Sequence, residues 1–161
     1  AVLETWRKLL GYWGTSLRSC IIGCWMGITP GGATPASFMS YGMARRMSKD
    51  RDSFGNGNIE GVIAPETAAH AAGTSALLPM LTLGIPGSPT AAVLLGGLLI
   101  WGLQPGPLLF VEKKEFVWGL IASMYLGNIV GLLIVLTTVP WWAAILRIPF
   151  AIIAPVCEMG R

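Results

Sequence analysis

Three long runs without a charged residue dominate the pattern of polar and apolar positions along the chain. They cover residues 19–44, 67–111 and 116–146. A helix that crosses a membrane needs about 20 mostly apolar residues, so each run is long enough for a span. Within the third run, residues 117–139 contain no proline and predict an uninterrupted transmembrane helix. Trp118 and Trp141 stand near its two ends, where interfacial aromatic residues are typical.

Pro-Gly sequences interrupt the first two runs. Residues 29–35 read TPGGATP, and residues 84–90 read GIPGSPT. Proline lacks an N–H and clashes with the preceding turn, so each stretch should end one helix and start another. We expect new helices over residues 36–46 and 91–101. Irregular backbone survives in lipid only where protein or a polar cavity surrounds it, and paired broken helices are typical of the ligand site in secondary transporters.

Composition supports a membrane protein. Apolar residues make up 53% of the chain and glycine adds another 21 residues, whereas only 12% are charged. Soluble proteins carry about 25% charged residues, so a soluble domain of this composition would lack the polar surface to cover itself. The net charge of +3 comes without a basic, aromatic-rich stripe, so no nucleic-acid partner is expected. We predict an all-α fold, a polytopic transmembrane helical bundle with discontinuous helices in a lipid bilayer.

The breaks and polar segments divide the chain into an ordered series of parts. Four basic residues within residues 45–51 indicate a cytoplasmic loop by the positive-inside tendency. The chain starts at Ala1 and stops shortly after an apolar segment, so we expect it to be part of a longer protein. The predicted parts are a first broken helical unit (1–46), a polar loop (47–60), a second broken helical unit (61–103), a loop (104–116), a transmembrane helix (117–139), and a loop with the start of a further helix (140–161).

The second break has the chemistry of an anion site. Ser88 and Thr90 are good N-cap residues, and free N–H groups at a helix N-terminus attract a carboxylate. In the first break, Gly31 and Gly32 allow close backbone approach, and Thr34 is a hydroxyl ligand or cap. Two such helix ends facing each other could hold a di- or tricarboxylate without an arginine. The alternative is that both breaks are ordinary kinks in packed helices.

A second group of polar residues is suited to ion coupling. Glu66 and His70 stand four residues apart, and a carboxylate within a membrane segment is costly and a functional candidate. Glu66 is predicted to bind a coupling cation or relay a proton, with His70 as its partner. The alternative places Glu66 in the first turn of a helix that starts at Pro65, where it would favour the helix dipole. Asn56 and Asn58 form a turn or an ion-ligand loop.

Four ordered segments carry a family resemblance. They read PGGATPASF (30–38), FGNGNIEGVIAPE (54–66), LPMLTLGIPGS (78–88) and GLQPGPLLF (102–110). Together they resemble the large membrane subunit of the tripartite tricarboxylate transporters, the TctA type. The chain departs from that pattern at Ala69 and His70, where many members have two asparagines.

The resemblance implies a fragment from the C-terminal half of a multi-pass protein of the bacterial inner membrane. Implied partners are a small membrane subunit (TctB type), a periplasmic solute-binding protein (TctC type) and an organic carboxylate such as citrate. Uptake would be secondary, driven by a Na⁺ or H⁺ gradient, with no cofactor beyond a possible coupling Na⁺. The implied substrate-binding residues, with Thr90 added from its place at the helix start, are Gly31, Gly32, Thr34, Gly84, Gly87, Ser88 and Thr90. The ion-coupling candidates are Glu66, His70, Asn56 and Asn58.

Two other functions compete with transport. One is a structural or partner-binding membrane domain that transports nothing itself. The other is an intramembrane enzyme, which would need a convergent nucleophile and base. The chain has one histidine and no matched partner for it except Glu66. We therefore predict that the protein is not an enzyme and has neither catalytic nor metal-binding residues.

Overall fold

The structure, a computed structural model, describes residues 2–29 and 31–145. Every regular element in these residues is a helix, which confirms the all-α prediction. Residues up to 113 form one compact unit, and the helix that follows belongs to a second unit. The helices are α1 (Val2–Gly11), α2 (Trp13–Ile28), α3 (Ala33–Met47), α4 (Glu60–Ser75), α5 (Leu77–Leu83), α6 (Pro89–Ile100), α7 (Leu109–Glu112) and α8 (Lys114–Ile145).

Small residues line the contacts among α2, α3 and α4. In each helix they recur every fourth position, and such positions lie on one face because an α-helix has 3.6 residues per turn. Small side chains let helix backbones approach closely, which is how helices associate where lipid removes the hydrophobic driving force. The buried residues of these faces are Thr15, Ser19, Gly23 and Gly27 on α2, Ala36, Ser40 and Ala44 on α3, and Ala64, Ala68 and Ala72 on α4.

The contact between α2 and α4 depends on two glycines. A methyl group at Gly23 would lie 2.8 Å from the Cβ of Ala71 and 2.9 Å from the Cα of Ala68. A methyl group at Gly27 would lie 2.8 Å from the Cα of Ala72. These distances are shorter than real Cβ contacts, so no other residue fits without moving one helix. The matched order of the contacts along both helices shows that α2 and α4 run parallel.

Serine hydroxyls fasten α3 to α4. Ser40, which is 1% exposed, donates a hydrogen bond from its Oγ to the carbonyl of Ala64 at 2.9 Å. Ser37 donates likewise to the carbonyl of Pro65 at 3.1 Å. As residue numbers rise along α3, the contacted numbers fall along α4, so these two helices are antiparallel. The hydroxyls therefore fix the register of a contact in which alanines alone would slide.

The first break is shorter than the sequence predicts. α2 ends at Ile28, and α3 begins at Ala33 instead of residue 36. Gly32 is the residue before α3 and has a φ of +76°, a backbone conformation that favours glycine. Pro35 falls in the first turn of α3, where its missing N–H breaks no hydrogen bond within the helix. The helix can therefore start three residues before the predicted position.

The second break ends and restarts helices with standard caps. α5 closes at Gly84, whose φ is +71°, and the amides of Gly84 and Ile85 donate to the carbonyls of Met80 and Pro79. α6 begins at Pro89, two residues before the predicted start, because Ser88 caps it. On the other side of this break, α4 and α5 are separated by the single residue Ala76. Pro79 explains that interruption, since it cannot donate to the carbonyl of Ser75.

α4 begins five residues before Pro65, the predicted helix start. Its first residue is Glu60, so Pro65 lies inside the helix and Glu66 lies in its second turn. The interpretation that Glu66 favours the dipole of the first turn is therefore wrong. The amide of Glu60 donates to Oδ1 of Asn58 at 2.8 Å, which satisfies one of the open N–H groups at this helix start.

α8 is the helix of the second unit. Residues 114–142 are long and apolar enough to cross a membrane, and none of that helix's apolar window is buried. The helix extends three residues before the predicted span and six beyond it, and it includes Pro140. The loop predicted from residue 140 is thus helical up to Ile145, and the rest of that prediction lies outside the described residues.

We predict that Gly23→Ala destabilises the intact protein, whereas Gly42→Ala does not. The new methyl group at position 23 would overlap α4, and overpacking costs about 1–3 kcal/mol. Nothing lies within 4 Å of a methyl group at Gly42 in α3, so alanine there should gain up to about 1 kcal/mol of helix propensity. Thermal unfolding of both variants in detergent measures the difference. Equal stability of the two would contradict the proposed close contact.

Candidate functional site

The candidate residues lie at three separate places in the first unit. α2 and α4 run parallel, so their starts lie at one end of the unit beside the loop over residues 48–59. Their last turns lie at the other end, next to both breaks. α4 has 16 residues, which separates the two ends by about 24 Å. We call them the loop end and the break end.

The two breaks meet at the break end. A methyl group at Gly87 would lie 3.2 Å from the carbonyl oxygen of Gly27 and 3.5 Å from the Cβ of Ala76. Gly27 is in the last turn of α2, directly before the first break, and Gly87 is in the middle of the second. The missing side chain at Gly87 thus allows the second break to rest on the end of α2. The sequence suggested two helix ends that face each other but did not identify which residues meet; the contact joins Gly27 and Gly87.

The side chain of Ser88 satisfies one of the open backbone N–H groups at the start of α6. Its Oγ accepts a hydrogen bond from the amide of Ala91 at 3.1 Å. Pro89, the first residue of the helix, has no N–H. The amide of Thr90 follows, and the described residues offer it no acceptor. Thr90 is exposed and lies inside the helix, so Ser88 is the cap and the backbone of Thr90 is the open donor.

Most of the polar groups in the first break belong to the backbone and not to side chains. The amide of Gly31 donates to the carbonyl of Thr29 at 2.7 Å, which forms a tight turn before α3. Gly32 occupies the cap position of α3, so Thr34 is not the cap. Thr34 is exposed in the first turn of that helix, where its hydroxyl is accessible.

Gly84, in the second break, is half-buried. A methyl group at this glycine would lie 3.4 Å from the carbonyl oxygen of Pro105. The loop that follows α6 therefore covers one side of Gly84, and the positive φ of this residue excludes most other side chains. Gly84 thus shapes the second break through its backbone.

Glu66 and His70 form an exposed pair on α4. Nε2 of His70 lies 3.9 Å from Oε2 of Glu66, and the side chains of His70 and Glu66 are 87% and 70% exposed, respectively. The buried face of α4 consists of Ala64, Ala68 and Ala72, so the pair lies off that face. Within residues 2–29 and 31–145 this is the one pair of basic and acidic side chains within 4 Å, and it is an ion pair only when His70 is protonated. This distance is longer than a hydrogen bond, so the exposed carboxylate of Glu66 stays available to another ligand such as a cation.

Asn58 and Asn56 lie at the loop end, about the length of α4 from the breaks. Nδ2 of Asn58 donates to the Oγ of Ser53 at 2.6 Å, while its Oδ1 accepts the hydrogen bond that starts α4. Asn56 donates from Nδ2 to the carbonyl of Asp52 at 3.5 Å. These contacts favour a structural role for Asn58 in shaping the loop. Ion binding by the two asparagines stays a prediction.

A polar cleft at the loop end was not anticipated from the sequence. It has a volume of about 740 Å³ and is lined by the start of α2, the end of α3 and the loop before α4. Thr15 donates from Oγ1 to Oε1 of Glu60 at 2.9 Å. Arg18 donates to Oγ1 of Thr15 at 3.3 Å and to the sulfur of Met47 at 3.2 Å. The sequence feature that could have indicated this cleft is Arg18, because it is the last cation before a long uncharged run.

The three places differ in what they can bind. The break end offers open N–H groups and glycine backbone, which suit a carboxylate. The α4 pair offers one carboxylate and one imidazole, which suit a proton or a monovalent cation. No group of three or more potential metal ligands occurs in the part of the chain that the structure describes.

Comparisons with known proteins give the context for this geometry. The model of the tripartite tricarboxylate transporter TctA family matches residues 1–159. An uncharacterized 52.8 kDa protein in the TAR-I ttuC′ 3′ region of Agrobacterium vitis is 38% identical over 153 residues, which are 94% of this chain and 30% of that protein. An uncharacterized protein in the TAR-II ttuC′ 3′ region of the same organism is 39% identical over 134 residues, or 83% and 55%.

The chain thus spans about a third of one curated relative and about half of the other. No solved structure matches it. The family match covers nearly the whole chain and confirms the resemblance seen in the sequence, and the family is one of transporters and not of enzymes. The chain therefore belongs to the tripartite tricarboxylate transporter TctA family.

Proposed function

We propose that the chain forms part of the membrane permease of a secondary carboxylate uptake system, and that the break end holds the substrate. The observation that carries the proposal is the contact of Gly87 with the carbonyl of Gly27, because it joins the two breaks into one backbone surface. The start of α6 lies directly beside this contact. The substrate is an organic carboxylate, with tricarboxylates such as citrate as the leading class.

Backbone amides suit a transporter better than a fixed cation would. An arginine paired with a carboxylate forms short, charge-assisted hydrogen bonds, which favour binding but slow release. Open amides at a helix start, such as that of Thr90, attract an anion through the helix dipole with a smaller energy. The glycines at positions 31, 32, 84 and 87 leave room for the carboxylate to reach the backbone. Ser88 holds the start of α6 in place, and Thr34 supplies a hydroxyl.

The pair on α4 is the proposed point of ion coupling. Glu66 lies six residues beyond the start of α4, about 9 Å along the helix, and faces away from α2 and α3. A charged side chain at that depth is costly in lipid unless water, an ion or another helix meets it. We propose that Glu66 binds Na⁺ or H⁺ during transport and that His70 assists. The asparagines at positions 56 and 58 belong to this proposal as candidate ligands at the loop end.

The proposed membrane location and partner proteins follow those of the family. The chain would be a segment of a longer multi-pass protein in a bacterial inner membrane, next to a small TctB-type membrane subunit. A TctC-type binding protein in the periplasm would deliver the substrate. The exposed apolar surface of α8, which no described residue of its unit covers, is compatible with lipid or with helices of such partners.

The function is tested first by transport in proteoliposomes that contain the intact protein, the small subunit and the binding protein. Labelled citrate, tartrate, succinate and benzoate are supplied with and without an inward sodium gradient, and then with a proton gradient. We expect gradient-dependent uptake of at least one di- or tricarboxylate. Folded protein that takes up none of these acids under either gradient would favour the structural or partner-binding alternative.

The carboxylate site is tested by Gly87→Val. The side chain would collide with the end of α2 and block access to the backbone, so we expect uptake to fall at least about tenfold while the protein still inserts into the membrane. Gly97→Val in α6 is the control, because nothing lies within 4 Å of a methyl group at that glycine. Uptake that is equal in both variants would contradict a site at the break end.

The ion-coupling role is tested by Glu66→Gln, with Glu112→Gln as a control of equal charge change. Removing the carboxylate should abolish the dependence of uptake on one of the two gradients, because a neutral amide neither carries a proton nor attracts Na⁺ strongly. Initial uptake rates over a range of sodium concentrations and pH values provide the measurement. If sodium and pH profiles match those of the unchanged protein, Glu66 has no part in coupling.

A further inference from the structure

Five of the eight cationic residues of the first unit lie at the loop end, where Asp50, Asp52 and Glu60 lie as well. Arg45, Arg46, Lys49 and Arg51 lie at the end of α3 and in the loop that follows, and Arg18 lies in the second turn of α2. The break end, residues 27–35 and 84–91, contains no charged residue. The distribution is that of a helical unit with its loop end at the cytoplasmic surface, where anionic lipids create a negative potential.

Arg18 is positioned unlike an ordinary surface arginine. It is half-buried in the wall of the polar cleft, and its two described hydrogen bonds go to a threonine hydroxyl and a thioether sulfur. Neither acceptor carries a charge. The nearest carboxylate in this network, Glu60, accepts its hydrogen bond from Thr15. None of the described carboxylates forms an ion pair with Arg18. An arginine has five N–H donors, so most of its donors are left for a ligand.

The cleft is open to the chain's surface and has room for more than water. Its volume of about 740 Å³ is in the range of small-molecule sites. Lys49 lies in its wall together with Arg18. The carboxylates of Asp50 and Glu60 line the cleft as well, and Ser48 and Asn56 add neutral polar groups. A phosphate group prefers arginine because the planar guanidinium donates two parallel hydrogen bonds, and a lysine adds a second point charge.

α1 ends at this cleft. Gly11 at its end and Tyr12 after it line the cleft. In its sequence, apolar residues recur at positions 2, 3, 6, 9 and 10, with Glu4, Arg7 and Lys8 between them. That spacing gives one apolar and one charged face, which is typical of a helix lying at the boundary between headgroups and acyl chains. The cleft therefore opens next to a helix suited to the depth of lipid phosphates.

We propose that the cleft at the loop end binds the headgroup of an acidic phospholipid, with the phosphate on Arg18 and Lys49 and the acyl chains beside α1. The site is distinct from the carboxylate site, which lies at the opposite end of α4. The proposal requires that the unit lies in a membrane but does not require that it transports anything. Loss of transport activity and loss of lipid binding are therefore separable results.

The test is native mass spectrometry of the intact protein in detergent, titrated with dioleoyl phosphatidylglycerol or with dioleoyl phosphatidylcholine. We expect the acidic lipid to bind at least about tenfold more tightly. Each cation near a membrane surface contributes an effect equivalent to about fivefold in affinity. The double variant Arg18→Gln/Lys49→Gln should therefore weaken binding of the acidic lipid about 25-fold. The matched control, Lys113→Gln/Lys114→Gln, removes the same charge elsewhere and should change affinity less than about twofold.

Three results would overturn the proposal. They are equal binding of the two lipids, an equal loss in both double variants, and full competition by sn-glycerol 3-phosphate, which would assign the cleft to a soluble phosphate compound. If the glutamine variant fails to fold, the charge-conserving variant Arg18→Lys/Lys49→Arg is measured in its place. It should retain the preference for the acidic lipid, and that preference should weaken between 50 and 500 mM NaCl because salt screens the charges.

Discussion

The close approach of the α2 and α4 backbones is the constraint on which the rest of the first unit depends. Gly23 and Gly27 have no space for a methyl group, so the two backbones lie closer together than any larger residue at these positions would allow. This packing places the end of α2 under Gly87 and its start beside Glu60. A shift by one helical turn would separate both pairs.

The packing of small residues also explains why the unit can have two chemically different ends. The middle of the three-helix contact is filled by alanine, glycine and serine, and its buried hydroxyls of Ser19 and Ser40 are satisfied by backbone carbonyls. The buried faces of α2, α3 and α4 therefore contain hydroxyl groups but no charged side chain. Charged side chains collect at the loop end, while the break end is built from uncharged backbone. Positive charge and open amides thus lie about 24 Å apart, which keeps Arg18 away from the proposed carboxylate site.

The positions where helices start and stop agree best with what the sequence pattern predicts. Pro-Gly sequences located both breaks, and Ser88 was identified as a cap because its short hydroxyl side chain can reach the open amides of a helix start. The starts of α3 and α4 were missed by several residues. α3 begins directly after Gly32 and α4 directly after Ile59, so Pro35 and Pro65 lie two and five residues beyond the first residues of these helices.

The sequence by itself determined the all-α fold, the positions of the breaks and the family, because these follow from local hydrophobic patterns and short motifs. It also supplied every candidate residue of the proposed carboxylate site. Only the tertiary structure decided which of them lie together, since residues 27 and 87 come into contact through the packing of α2 on α4. It separated the asparagines from the breaks, and it brought Thr15, Arg18 and Glu60 into one cleft. Contacts between distant residues depend on how helices pack, and no local pattern in the chain encodes them.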